Sequence, residues 1–177
     1  LWRMGAGTDI PLGTTVANRY DEWNRDLVGC FVNTLVLRTD VSGRPSLREL
    51  LTRVRATDLD AYARQEFPFT RVVEELSSER TGRERSLFQV MLSLQNTPRP
   101  SFHLPGVDVT PSTLPTGTAR FDLTFDLTEF HGHDGSPQGM EGFVEYATDM
   151  FTPKTVRSLI GRLNTLLAQA MSEPDRP

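Results

Sequence analysis

Val28 to Arg38 reads VGCFVNTLVLR, eleven residues in which only Asn33, Thr34 and Arg38 carry polar side chains. Alternation places Phe31, Leu35 and Leu37 on one face and Val32, Thr34 and Val36 on the other, so the run is expected to be a strand buried on both faces. Asn33 interrupts the first of those faces. Cys30, the single cysteine of the chain, lies between Gly29 and Phe31 and is expected to be a small buried side chain. Alone it can build neither an intrachain disulfide nor a thiolate zinc site.

Upstream of this run, IPLGTTV from Ile10 to Val16 reads as a short strand, closed by a polar connection from Asn18 to Asn24. Downstream, the turn VSGRP leads to Ser46, with Glu49 three residues on, an arrangement that satisfies the free amides of a helix start reciprocally. Leu47, Leu50, Leu51 and Val54 continue at helical spacing, and the helix is expected to run to about Arg64, before Phe67-Pro68 forbids helical geometry. Phe69, Val72, Val73 and Leu76 mark a second, short amphipathic helix. A charged loop, SSERTGRER, separates it from LFQVMLSL, Leu87 to Leu94, an apolar run of strand length that looks central.

From Gln95 to Thr118 there are five prolines and one strand-like piece, Val107 to Thr110. An irregular connection of that length is uncommon in a compact domain and usually serves function or reaches toward another body. Phe121, Leu123, Phe125 and Leu127 then alternate with Asp122, Thr124, Asp126 and Thr128, a half-buried strand pattern, and Met140 to Ala147 is its hairpin partner. Thr152 with Pro153 at the first helical position opens a closing helix. Its core stripe is expected at Val156, Leu159, Ile160, Leu163, Leu166, Leu167, Ala170 and Met171. The order implies an α/β domain, a mixed β-sheet flanked by helices, over residues 1–172, with 173–177 the start of a linker.

With 177 residues, 37% of them apolar, the chain can build a core. A net charge of -4 without basic clusters gives no footprint for nucleic acid, and no apolar run reaches bilayer-spanning length. No secretory pattern opens the chain, so a cytoplasmic location is the expectation. There is no phosphate-binding loop, dinucleotide fingerprint or nucleophile elbow. Of the three histidines, His103 lies in the proline-rich loop and His131 and His133 in the hairpin tip. A metal site drawn from His131, His133 and Asp134 would sit in a glycine-rich loop with poor preorganisation, so a solvated turn is the better reading and no metal is expected. Arg19, Asn33 and the pair Gln95-Asn96 stand out as polar groups at or inside apolar strands, where an amide costs free energy unless hydrogen-bonded. The residues alone thus yield a fold class and no self-sufficient active site.

VGCFVNTLVLR resembles the condensation-domain motif (I/V)-G-x-F-V-N-T followed by a short stretch and Arg, with Gly29, Phe31, Val32, Asn33, Thr34 and Arg38 in register and a departure at Val36. RQEFPFT, Arg64 to Thr70, is similar to H-Q-D-x-P-F-E, keeping Gln65, Pro68 and Phe69. RTGRERSL resembles R-D-x-S-R-N-P-L but keeps only Arg80 and Leu87. GTTVANR, Gly13 to Arg19, is similar to G-T-P-V-A-N-R, and YATDMFTPKTVRSLIGRL resembles the family's ending, so the likeness covers nearly the whole chain.

The resemblance implies the C-terminal lobe of a condensation domain of a nonribosomal peptide synthetase, one half of a two-lobed chloramphenicol-acetyltransferase-like fold with a tunnel between the lobes. The implied reaction is acyl transfer, in which an acceptor amine attacks a donor thioester and an amide forms. Both substrates stay on phosphopantetheine arms of carrier proteins, so no cofactor is bound directly. The implied partners are the N-terminal lobe, donor and acceptor carrier proteins and an adjacent adenylation domain. The histidine motif H-H-x-x-x-D-G belongs to the other lobe and has no copy here, so no catalytic residue is expected in this chain and activity alone is not expected. By the same resemblance Arg19 is expected to pair with the aspartate of that motif, and Asn33 and Asn96 to lie near the tunnel. Residues 18–28 resemble the floor loop, and part of 95–118 the latch that crosses to the other lobe. Two functions follow, an amide-forming half-domain or a non-catalytic module that docks carrier proteins or a tailoring enzyme.

Overall fold

Two strands of matching length start the sheet. The computed structural model describes residues 1–19, 22–77, 87–96, 106–109, 112, 114, 116–132 and 134–177. In it β1 (Asp9–Val16) and β2 (Asn33–Asp40) pair antiparallel without a break from Asp9↔Asp40 to Val16↔Asn33. Ile10, Leu12 and Thr14 face Thr39, Leu37 and Leu35 across the ladder, and of these six only Leu12 is not fully buried. The strand expected from Val28 therefore begins at Asn33, because β1 ends opposite it. Residues before Asn33 have no ladder partner on β1, and Val28, Cys30 and Val32 are exposed. Burial on both faces does not hold either. Thr34 and Val36 are half-buried and Arg38 is exposed, since β2 forms one edge of the sheet.

The five-stranded sheet has the order β2-β1-β3-β4-β5. β3 (Val90–Gln95) is central as expected, parallel to β1 at Gly13↔Met91 and to β4 (Leu123–His131) from Val90↔Leu123 to Gln95↔Thr128. It starts three residues later than its apolar run, because Phe88 leaves the ladder to fill the core. Phe88 is 1% exposed, with the Phe69 and Phe121 ring centroids at 5.9 and 5.1 Å. Against it lies Gly13, where a Cβ would overlap the Phe88 ring.

β4 and β5 (Pro137–Tyr146) form the hairpin, with a register shift at Phe130/His131 and pairing that reaches His131↔Pro137, so the tip is shorter than the sequence suggests. The Val107–Thr110 strand is reduced to an isolated bridge at Val107, and Thr110 falls outside the described residues.

The helix signals are local and hold. α1 (Glu22–Arg25) is a single turn inside the polar connection. α2 (Leu47–Tyr62) opens on the expected capping box, with Glu49 N donating to Ser46 Oγ at 3.3 Å and Ser46 N to Glu49 Oε2 at 2.9 Å. α3 (Phe69–Ser77) follows Pro68, and α4 (Pro153–Ser172) opens on Thr152, whose Oγ1 accepts from Thr155 N at 3.2 Å. The α4 stripe differs from expectation. Val156 is buried and Leu159 and Ile160 half-buried, but Leu163, Leu166, Leu167 and Met171 are exposed, so burial of the stripe is concentrated in the first turns of the helix. Among the described residues no helix is long and apolar enough to cross a membrane.

Candidate functional site

The parallel arrangement of β1 and β3 brings the polar residues singled out in the sequence to one rim of the sheet. Counting forward from the Gly13↔Met91 pair, Val16 is level with Leu94 and Asn18 with Asn96. Asn33 sits opposite Val16 at the start of β2. Arg19, Asn33 and Asn96 thus share the end of the sheet where β1 and β3 terminate, the end at which open α/β sheets place ligands.

Arg19 organises the loop that follows. Its Nη1 donates to the carbonyl oxygens of Asn24 (2.7 Å), Leu27 (2.8 Å) and Arg25 (3.3 Å), and its Nη2 to that of Gly29 (2.9 Å). The guanidinium lies over the Phe31 ring, 4.5 Å from its centroid, a favourable cation–π distance. Gly29 leaves room for that ring, since a Cβ there would stand 3.1 Å from it. These contacts add to the reason why the run before Asn33 is not strand, since the carbonyls of Leu27 and Gly29 are taken by Arg19. At the loop's base Asn18 adopts φ 54°, which Asn tolerates, and its carbonyl accepts from Asn24 Nδ2 at 3.1 Å. Asn24 is 4% exposed, which sequence reasoning missed, because a buried amide within a polar connection looks like any loop residue. Among the described residues Arg19 has no carboxylate partner. Tyr20 and Asp21, within the floor-loop-like stretch, lie outside the described residues.

Asn33 joins two motifs. Its Nδ2 donates to the carbonyls of Gln65 and Phe67, both at 2.8 Å, and its Oδ1 accepts from Phe69 N at 3.1 Å. The β2 motif and the RQEFPFT motif are therefore one device. Gln65 contributes its carbonyl, Pro68 accepts from Arg71 N to start α3, and Phe69 gives its amide to Asn33 and its ring to Phe88. Asn96 follows β3 directly and is exposed. Beside it Gln95 Nε2 donates to Ser93 Oγ at 3.0 Å and approaches Asp126 Oδ2 at 3.4 Å, so Asp126 belongs to a small polar group rather than a purely solvated face.

Two further motif positions make contacts across β1 and β2. Thr34 pairs with Thr15 across the ladder, and Arg38 is tied to Asp9 through Nε to Oδ1 (3.3 Å) and through Nη2 to Oδ2. The Arg38 hydrogen bonds, with its charge, hold the Asp9 carboxyl below the usual carboxylate range. A carboxyl depressed in the folded state adds stability that is present at neutral pH and lost as pH falls through its folded pKa. Arg38→Gln is therefore expected to raise the Asp9 titration midpoint, followed by carboxyl NMR, while the melting temperature at pH 7 changes by less than about 2 °C because the pair is exposed. Arg80, His103 and His133 lie outside the described residues, as does much of the latch-like stretch. In the hairpin tip Asp134 is engaged by Ser136, whose hydroxyl and amide donate to Oδ1 at 2.6 and 3.0 Å. His131 Nε2 stands 3.4 Å from Glu129 Oε1. A cleft of about 570 Å³ between α4 and the starts of β3 and β4 is lined by residues that include Leu1, Val90, Leu123 and Leu159 and by none of the rim residues. It is separate from the site.

The family described as Condensation domain matches residues 1–177. The chain is 51% identical over 175 residues to the dimodular nonribosomal peptide synthase of Bacillus subtilis, covering 99% of this chain and 7% of that protein. Among solved structures it matches the X-domain from teicoplanin biosynthesis, at 30% identity and TM-score 0.84, over 99% of this chain and 39% of that one. It also matches the complex of that X-domain with OxyB, at 31% identity and TM-score 0.83, over 99% and 38%. The chain thus spans a small part of its curated relative and about two fifths of the solved domains.

Proposed function

This chain belongs to the condensation-domain family, and from that premise we propose that it is the C-terminal half of an amide-forming condensation domain, the half that does not carry the histidine motif. Its mixed sheet flanked by helices has the chloramphenicol-acetyltransferase-like fold of that family. The observation that supports the reading is the shared rim: Asn33 at the start of β2, Asn96 after β3 and Arg19 after β1 lie at one end of the sheet, the end this reading assigns to the tunnel. In the reaction the acceptor amine attacks the donor thioester carbonyl, the carbon–nitrogen bond forms, and the carbon–sulfur bond breaks to release the thiol of the donor's phosphopantetheine arm. The amine's proton passes to a base that the other lobe supplies and from there to the departing sulfur, which leaves as the thiol.

On this side of the site Arg19 fixes the 24–29 loop and presents positive charge toward the aspartate of the other lobe's histidine motif, a pairing that holds a carboxylate ionised and oriented. Asn33 fixes the connector at 65–69. Asn96 is the amide placed to touch substrate or to stabilise developing charge on the carbonyl oxygen. Carrier proteins bring both substrates, and an adenylation domain loads them.

A second reading, a docking module without catalysis, is favoured by one finding: the X-domain that this chain resembles was solved in complex with OxyB. Binding separates the two. A relative's N-terminal lobe carrying H-H-x-x-x-D-G is expected to form a one-to-one complex with this chain, measured by calorimetry, and Arg19→Ala is expected to weaken it about tenfold or more through loss of a charge-assisted contact. Binding of a tailoring enzyme with none of the lobe would transfer the assignment to the second reading.

A further inference from the structure

The last residues of the chain fold back instead of trailing from α4. Glu173 to Arg176 form a turn, with Arg176 N donating to Glu173 O at 3.1 Å and Arg176 Nη1 paired with Glu173 Oε2 at 2.8 Å. That turn lands on the first turn of α2. Arg48 N donates to Pro174 O at 3.1 Å, and Arg48 Nε donates to Asp175 Oδ1 at 2.8 Å, across 127 positions of sequence.

The contact fits what a helix start lacks. The first amides of a helix have no intrahelical acceptor, and Ser46 Oγ serves only that of Glu49. Pro174 supplies a carbonyl for the amide of Arg48, which the capping box leaves over. Asp175 adds a negative charge where the helix dipole favours one. At the other end of this connection, α4 has little to hold its far half. Val156 is its one fully buried residue, whereas Leu163, Leu166 and Leu167 are 38–45% exposed and Met171 is 67% exposed. Helix segments with few buried contacts open locally unless something else restrains them.

We propose that the Glu173–Arg176 turn is an intramolecular docking element whose receptor is the N-terminus of α2, and that this clamp, rather than packing of the apolar stripe, holds the C-terminal half of α4. The chain is then braced from the β5 side of the sheet to the helix that follows β2 on the opposite edge. Residues 173–176 are part of the folded body and not a flexible tether.

Amide hydrogen exchange on the full chain tests the clamp. Deleting residues 174–177 should raise exchange at the Arg48 amide and across residues 163–172 by about three- to tenfold, the span expected for losing one or two exposed hydrogen bonds, with β3 and β4 unchanged. Asp175→Asn keeps the Pro174 carbonyl and removes only the charge, so its effect should be about twofold at low salt and should vanish near 0.5 M salt, where the ion pair is already screened. Unchanged exchange over 163–172 in the deletion variant would overturn the proposal. So would a uniform rise through β3 and β4, because the turn would then be part of the cooperative core and not a clamp on one helix.

Discussion

Asn33→Ala is expected to destabilise the domain by about 2–4 kcal/mol, because three hydrogen bonds to backbone groups are lost and two carbonyls and an amide lose their partner. The bonds run to Gln65 O, Phe67 O and Phe69 N, so the damage should localise to the start of α3 and to the Phe69 ring on Phe88. Asn33→Asp keeps one acceptor for Phe69 N but sets a carboxylate against two carbonyls, and it should be no better than alanine. Urea denaturation gives the stability change, and exchange of the Phe69 amide gives its location. A loss under about 0.5 kcal/mol for Asn33→Ala would show that the connector is held by something else.

Gly13→Ala is expected to have a comparable effect, about 1–3 kcal/mol or more, by overpacking. Its Cβ would fall on the Phe88 ring, which is fully buried between Phe69 and Phe121 and has no open side to move into. Strong non-additivity is the diagnostic. Phe88→Leu alone should destabilise by leaving a void, yet combined with Gly13→Ala it should recover more than half of the alanine penalty, since the two changes share one volume. Additive penalties would mean that Gly13 is needed for backbone reasons and not for the close approach of the ring.

What was legible in the sequence is what is decided locally. Ser46 with Glu49, and Thr152 with Pro153, form caps within a single turn, and both appear where the residues put them. The alternation holds at Leu35 and Leu37 because a neighbouring strand of equal length faces them. The errors lie where tertiary context decides. Val28 and Val32 are apolar and read as strand, yet the β1 ladder stops at Asn33 and Arg19 claims the carbonyls of Leu27 and Gly29. Cys30 is exposed for the same reason. The α4 stripe has helical spacing throughout, but spacing records which residues share a face and not whether that face is covered.

The site divides in the same way. Arg19, Asn33 and Asn96 were identifiable as polar groups beside apolar strands, and the family resemblance added an expectation of what they face. That Asn33 serves the RQEFPFT motif could not be read, because the contact spans more than thirty positions of sequence and depends on how α3 is laid against β2. Asn24 left no trace at all. Its burial follows from the sharp reversal at Asn18, and nothing in a polar loop distinguishes an amide that ends inside from one that ends outside.

The central claim is that this chain supplies the half of an amide-forming site that does not carry the histidine motif. Its most direct test is to supply a relative's N-terminal lobe in trans with loaded donor and acceptor carrier proteins, and to follow the dipeptidyl carrier product by mass spectrometry. Product that requires this chain, and that falls about tenfold or more with Arg19→Ala, is the predicted result. No product from lobes that demonstrably associate would contradict it.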